Sequence, residues 1–114
     1  MANKVMWFEV LGTDGNKMKK FYGDLFGWKY KDVKDMNYGM TDPEATGIGG
    51  GIGAAPAGTG WTTFYVGVPD IEKSLSQATK LGGKVLMPVT KLPDVTIAVF
   101  ADPEGHPVGL VLHP

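Results

Sequence analysis

The chain is 114 residues long, the size of one domain with a core of its own. Eleven Lys and Arg stand against twelve Asp and Glu, with no block of like charge, which leaves no electrostatic footprint for nucleic acid or an anionic membrane. Cysteine is absent, so disulfides, thiolate catalysis and cysteine-based zinc sites are excluded.

The opening MANKVMWFEV carries no apolar run of signal-peptide type, and no stretch approaches membrane-spanning length, so the expectation is a cytoplasmic protein. KVMWFEVL, rich in β-branched and aromatic residues, reads as a strand. After the turn GTDG, Met18, Phe21, Tyr22, Leu25 and Phe26 recur at helical spacing and predict a helix with that stripe facing the core. Lys17, Lys19, Lys20 and Asp24 are expected away from it, and Gly27 is placed to stop the helix. WKYKDV and NYGMT follow as short strands, and GIGGGIG as a fourth. WTTFYVGV is the next strand, and Asp70 is placed to cap a helix whose stripe is Ile71, Leu75, Ala78 and Leu81. KVLMPV, TIAVFA and VGLVLH complete the strands, with DPEGHP as the turn before the last.

The two halves repeat. At an offset of 56, Phe8 meets Phe64, Val10 meets Val66, Asp14 meets Asp70, Leu25 meets Leu81 and Gly27 meets Gly83. The expected class is α+β, with β-α-β-β-β twice: a first module over about 1–53, a linker over about 54–60 and a second module over about 61–114.

FYGDLFGW at 21–28, LGGKVL at 81–86 and DPEGHPVGL at 102–110 resemble the vicinal oxygen chelate superfamily, which includes glyoxalase I, extradiol dioxygenases and the fosfomycin- and bleomycin-resistance proteins. The resemblance spans essentially the whole chain and implies two modules whose sheets form a cup with helices outside. Strand alternation within that frame puts Phe8, Val10, Phe64 and Val66 on the helix side. Trp7, Glu9, Thr63 and Tyr65 then look into the cup, and Val108, Leu110 and Leu112 pack as core opposite Gly109, Val111 and His113.

The superfamily's metal enzymes take a divalent ion on His, Gln or Glu from the first and last strands of each module. The corresponding positions here are Trp7, Thr63, Gly109 and one of Gly49, Gly51 and Gly53, which supply no imidazole or carboxylate. His106 lies in a turn and His113 at the chain's end, so no metal site and no cofactor is expected. The glycine run itself is no phosphate loop, since neither a helix pattern nor a Lys-Ser/Thr follows it. Two readings of Gly49, Gly51 and Gly53 stay open: room for a ligand against bare backbone, or a bending edge strand.

Glu9 is the one carboxylate expected inside an aromatic cup, a candidate general acid or base with Tyr65 as hydrogen-bond donor. The aromatic set is Trp7, Trp28, Tyr30, Tyr38, Trp61 and Tyr65. The ligand-binding candidates are Trp7, Trp28, Tyr38, Gly49, Gly51, Thr63, Tyr65 and Gly109. Three functions fit: metal-independent binding of a small, partly aromatic molecule between the modules, a metal-free isomerase, lyase or hydrolase using Glu9, or an interaction module whose cavity its own side chains fill. A net charge near zero speaks against capture of a strongly cationic drug. The resemblance also implies a homodimer.

Overall fold

The computed structural model describes residues 2–34, 36–55 and 60–114. In chain order the elements are β1 (Val5–Gly12), α1 (Gly15–Phe26), β2 (Lys31–Val33), β3 (Tyr38–Met40), α2 (Pro43–Thr46), β4 (Gly50–Ala54), β5 (Trp61–Val68), α3 (Ile71–Lys80), β6 (Lys84–Lys91), β7 (Thr96–Ala101) and β8 (Pro107–Leu112). The chain is α+β and gathers into two compact units, Trp7–Thr62 and residues 2–6 with Thr63–Pro114. The expected β-α-β-β-β order recurs in each half, with the four-residue α2 as an addition. Of the expected linker, Ala54 closes β4, and residues 56–59 lie outside the described residues.

In the unit Trp7–Thr62 the strands lie in the order β2-β3-β4-β1, with β1 and β4 parallel and the other neighbours antiparallel. Val10 and Ile52 are register partners and form its buried centre. Asp14 caps α1 by accepting from the Lys17 amide, and Gly27, at φ 72°, ends it in the left-handed conformation that favours glycine. The fourth strand starts later than the sequence pattern indicates, leaving Ile48 outside it and exposed.

The rotation of α1 corrects the expected stripe. The Tyr30 hydroxyl donates to the Lys19 carbonyl at 3.0 Å, and the Tyr30 ring lies beneath Gly23, where an added Cβ would also come within 3.2 Å of the Trp28 carbonyl. Burial pushes the Tyr30 phenol above its ordinary pKa, with Tyr22 adding to the shift. The apolar stem of Lys19 runs over Gly39 while its amine pairs with Asp32 at 3.2 Å. That turns the Lys19–Gly23 flank onto the sheet and swings Phe21 and Leu25 outward, 58% and 59% exposed. Phe26, past the sheet's cover, is 55% exposed. On the same side Trp28 packs on Phe8 (5.4 Å between ring centroids), Tyr22 (5.9 Å) and Phe26 (5.1 Å).

The glycines of β4 have a specific neighbour. Tyr38 on β3 is the register partner of Gly53, and its ring crosses β4 over Gly51, whose own register partner is Glu9 on β1. Strands two apart are about 10 Å from each other, so a tyrosine on β3 reaches β1 only by passing directly over the strand between them. A Cβ at Gly51 would collide with the Tyr38 hydroxyl and ring.

In the other unit the strand order is β5-β8-β7-β6, with β5 and β8 parallel and the rest antiparallel. Asp70 caps α3, and Val68, Ile71, Leu75, Ala98 and Leu110 form the core beneath it. Leu81 is not part of the α3 stripe: it follows the helix at its C-cap and is 73% exposed. Phe64 and Leu112, expected to be covered, are exposed as well. Tyr65 is buried and its ring lies on its register partner Gly109. The edge strand β6 carries Lys84, Pro88, Lys91 and register shifts, all features that discourage pairing with another strand.

Asp102 closes the turn before β8. Its Oδ1 accepts from the Glu104 and His106 amides at 2.9 Å each, and its Oδ2 meets His106 Nδ1 at 3.0 Å. The His106 amide bond, with help from the His106 side chain and the Glu104 amide, holds the Asp102 carboxyl below its ordinary pKa. A depressed carboxyl stabilises the fold above its unfolded value of about 3.9 and ceases to do so as pH falls through the folded one. Asp102→Ala is therefore expected to lower Tm at pH 7, with the deficit relative to the parent shrinking below about pH 4 in parallel thermal melts.

A second expectation concerns the strand crossing. Gly51→Ala should destabilise the protein by about 1–3 kcal/mol in urea denaturation, and by clearly less in a Tyr38→Ala background. Equal costs in both backgrounds would mean that Tyr38 is not what requires glycine there.

Candidate functional site

The first strand alternates, so Trp7 and Glu9 share the face opposite Phe8. Glu9 is only 9% exposed, and a carboxylate so placed needs donors. Two of them are aromatic. Trp61 Nε1 donates to Glu9 Oε1 at 2.9 Å, and the Tyr38 hydroxyl donates to Glu9 Oε2 at 3.0 Å. Trp7 Nε1 lies 3.1 Å from the same Tyr38 oxygen. An indole nitrogen can only donate, so the Tyr38 oxygen accepts there, and its own proton is committed to Glu9. The chain of bonds thus has one direction, from Trp7 through Tyr38 to Glu9.

Gly49 belongs to this arrangement, because a Cβ there would stand 3.1 Å from the Trp7 ring and 3.2 Å from Pro43. The volume beside Gly49 and Gly51 is therefore occupied by the protein's own Trp7 and Tyr38 rings. Chemically, the cluster presents one oriented carboxylate framed by three aromatic side chains. Such a site suits a ligand that donates hydrogen bonds and carries a ring or a positive charge.

Trp7, Glu9, Tyr38, Gly49 and Gly51 are thus brought together. Trp28 is not among them, since it packs with Phe8 on the helix side. Thr63, Tyr65 and Gly109 lie in the other unit, where the Thr63 hydroxyl donates to the Pro107 carbonyl and Tyr65 covers Gly109. Trp61 is the residue whose role the sequence did not disclose. It stands 52 positions from Glu9, and the only signal was its membership of the aromatic set together with the need of a buried carboxylate for donors.

The residues at the positions where the resemblance implies metal ligands do not fit a divalent ion. Trp7 and Thr63 offer an indole and a hydroxyl already engaged with Tyr38 and Pro107, the space at Gly109 is taken by the Tyr65 ring, and that at the three candidate glycines of the first module by Trp7 and Pro43 at Gly49, Tyr38 at Gly51, and Tyr38 with the Asn37 carbonyl at Gly53. Among the described residues no three His, Asp or Glu side chains group to hold a metal. No described helix is long and apolar enough to cross a membrane.

Known proteins agree with this architecture. The family model of the glyoxalase/bleomycin resistance protein/dioxygenase superfamily matches residues 4–110. A glyoxylase-like domain-containing protein of Didymella fabae is 26% identical over an alignment covering all of this chain and 97% of that one. Among solved structures, a Vibrio splendidus member of the same superfamily superposes with a TM-score of 0.64 at 19% identity, covering 97% of this chain and 98% of that one. A Legionella pneumophila protein described as an NAD-dependent benzaldehyde dehydrogenase gives 0.68 at 16% identity, covering 95% and 98%. At such identities the two structures speak for the fold alone. With the family model spanning nearly the whole sequence, the chain belongs to the glyoxalase/bleomycin resistance protein/dioxygenase superfamily.

Proposed function

We propose that the protein binds a small, partly aromatic organic molecule without a metal ion, as a cytoplasmic homodimer, and that the Trp7–Glu9–Tyr38–Trp61 cluster holds it. The observation that carries this reading is the buried carboxylate fixed by Trp61 and Tyr38, with Trp7 setting the direction of the Tyr38 proton. A group so oriented recognises a hydrogen-bond donor or a cation without reorganising, which is what preorganised binding needs. The absence of ligand-type side chains at the metal positions supports a binder over the metal chemistries of the superfamily.

A second reading has its own support. A carboxylate beside a phenol whose proton is directed also resembles the acid–base pair of a metal-free isomerase or lyase, with Glu9 taking a proton from the substrate. Turnover of the captured compound would separate the two.

The test starts from freshly purified protein. Native mass spectrometry is expected to show a retained organic mass, and elemental analysis no stoichiometric zinc, nickel or iron; either metal result to the contrary overturns the metal-independent reading. With the retained compound or its analogue, Glu9→Gln should weaken binding by at least about tenfold in calorimetry, because a charge-assisted contact is lost while shape is kept. Unchanged affinity would remove the cluster from the site.

A further inference from the structure

Rings close the helix side of the unit Trp7–Thr62. Trp28 stacks on Tyr22 and packs on Phe8 and Phe26, so aromatic side chains occupy the space between the last turns of α1 and the sheet. At the offset of 56 that relates the two halves, the counterparts of Phe8, Tyr22, Phe26 and Trp28 are Phe64, Ala78, Gly82 and Lys84. The second unit therefore lacks three of these four rings, and the fourth, Phe64, is 43% exposed. The frame around them is kept. Val66 and Leu110 are register partners on parallel β5 and β8, as Val10 and Ile52 are on parallel β1 and β4. In place of the missing rings stands a cavity of about 380 Å³. Val66, Phe100 and Leu110 floor it from the sheet, and Ala78 and Leu81 wall it from the end of α3.

We propose that this cavity is a second ligand site, which takes a free, uncharged aromatic molecule of one or two rings. It lies in the unit containing Thr63–Pro114 and shares no residue with the Trp7–Glu9–Tyr38–Trp61 cluster, so it stands apart from the binding reading given above. The repeat supplies the argument for a ring. One half fills this place between helix and sheet with its own Tyr22 and Trp28, and the other offers the same place with an alanine and an exposed lysine instead. The size agrees, since an apolar cavity of about 150 Å³ already holds benzene and ligand pockets begin near about 300 Å³. The Phe100 ring in the floor adds an aromatic contact. The rim sets the charge. An ionised Asp102 there repels an aromatic acid, and both its oxygens are engaged with Glu104 and His106, which makes it a poor anchor for a cation. Ser74 and Gln77, one turn apart on α3, offer uncharged groups to the N–H or O–H of a heteroaromatic or phenolic ring.

Indole is the probe, titrated into the isotope-labelled full chain and followed by amide chemical shifts. Saturable shifts are expected at Val66, Ala78 and Phe100. Ala78→Tyr, which puts back the ring of the first half, should raise the dissociation constant for indole at least about tenfold by filling the cavity. Ala78→Leu fills less of it and should move the constant in the same direction, which keeps the test open if the tyrosine variant does not fold.

Shifts confined to the Trp7 and Glu9 amides would place indole in the cluster and overturn this site, as would no saturable shift at millimolar indole or folded Ala78 variants that bind like the parent. Benzoate or cyclohexanol binding as tightly as indole overturns the assigned ligand class. If raising the protein concentration moves the cavity amides and indole does not, a second copy covers this face and the proposal falls.

Discussion

A tyrosine that spans a strand organises the first half of this protein. Tyr38 can reach Glu9 only because Gly51, on the strand between them, has no side chain to stand in the way. The hydrogen bond at the end of that reach satisfies one oxygen of a buried carboxylate, and Trp61 satisfies the other. A buried charge left without such partners would cost several kcal/mol. The glycine run, the aromatic residues and the acid are thus one device: bare backbone makes the space, rings fill it, and their polar tips pair with the charge.

The second half uses a related solution at one place. Tyr65 lies over Gly109, its partner on the neighbouring parallel strand. In each half a tyrosine ring covers a glycine, Tyr38 over Gly51 and Tyr65 over Gly109. Converting either position to a histidine or glutamate would require moving a ring as well as changing a residue.

Helix α1 shows how a local contact can redirect a whole face. Tyr30 beneath Gly23 and the Lys19 stem over Gly39 fix the helix by close approach at two glycines, and the larger apolar residues are turned outward as a consequence. The Tyr30 ring is packed against the helix backbone while Phe21 and Leu25 stay exposed.

The sequence by itself determined the class and the order of elements. Asp14 and Asp70 mark helix starts, Gly27 a stop, and the strand pattern of each half follows from period-two runs, because capping and pleat depend on residues close together in the chain. Alternation also placed Trp7 and Glu9 on one face and Phe8 on the other. What only the tertiary structure decided were contacts between distant residues: Trp61 on Glu9, Tyr38 over Gly51, and Trp28 with Phe8 instead of with the acid. The helix rotation belongs to the same group, since a periodicity count treats lysine as polar and cannot see its stem lying on a glycine. Spacing along the chain encodes the elements; side-chain reach across strands, which no local pattern records, sets the site.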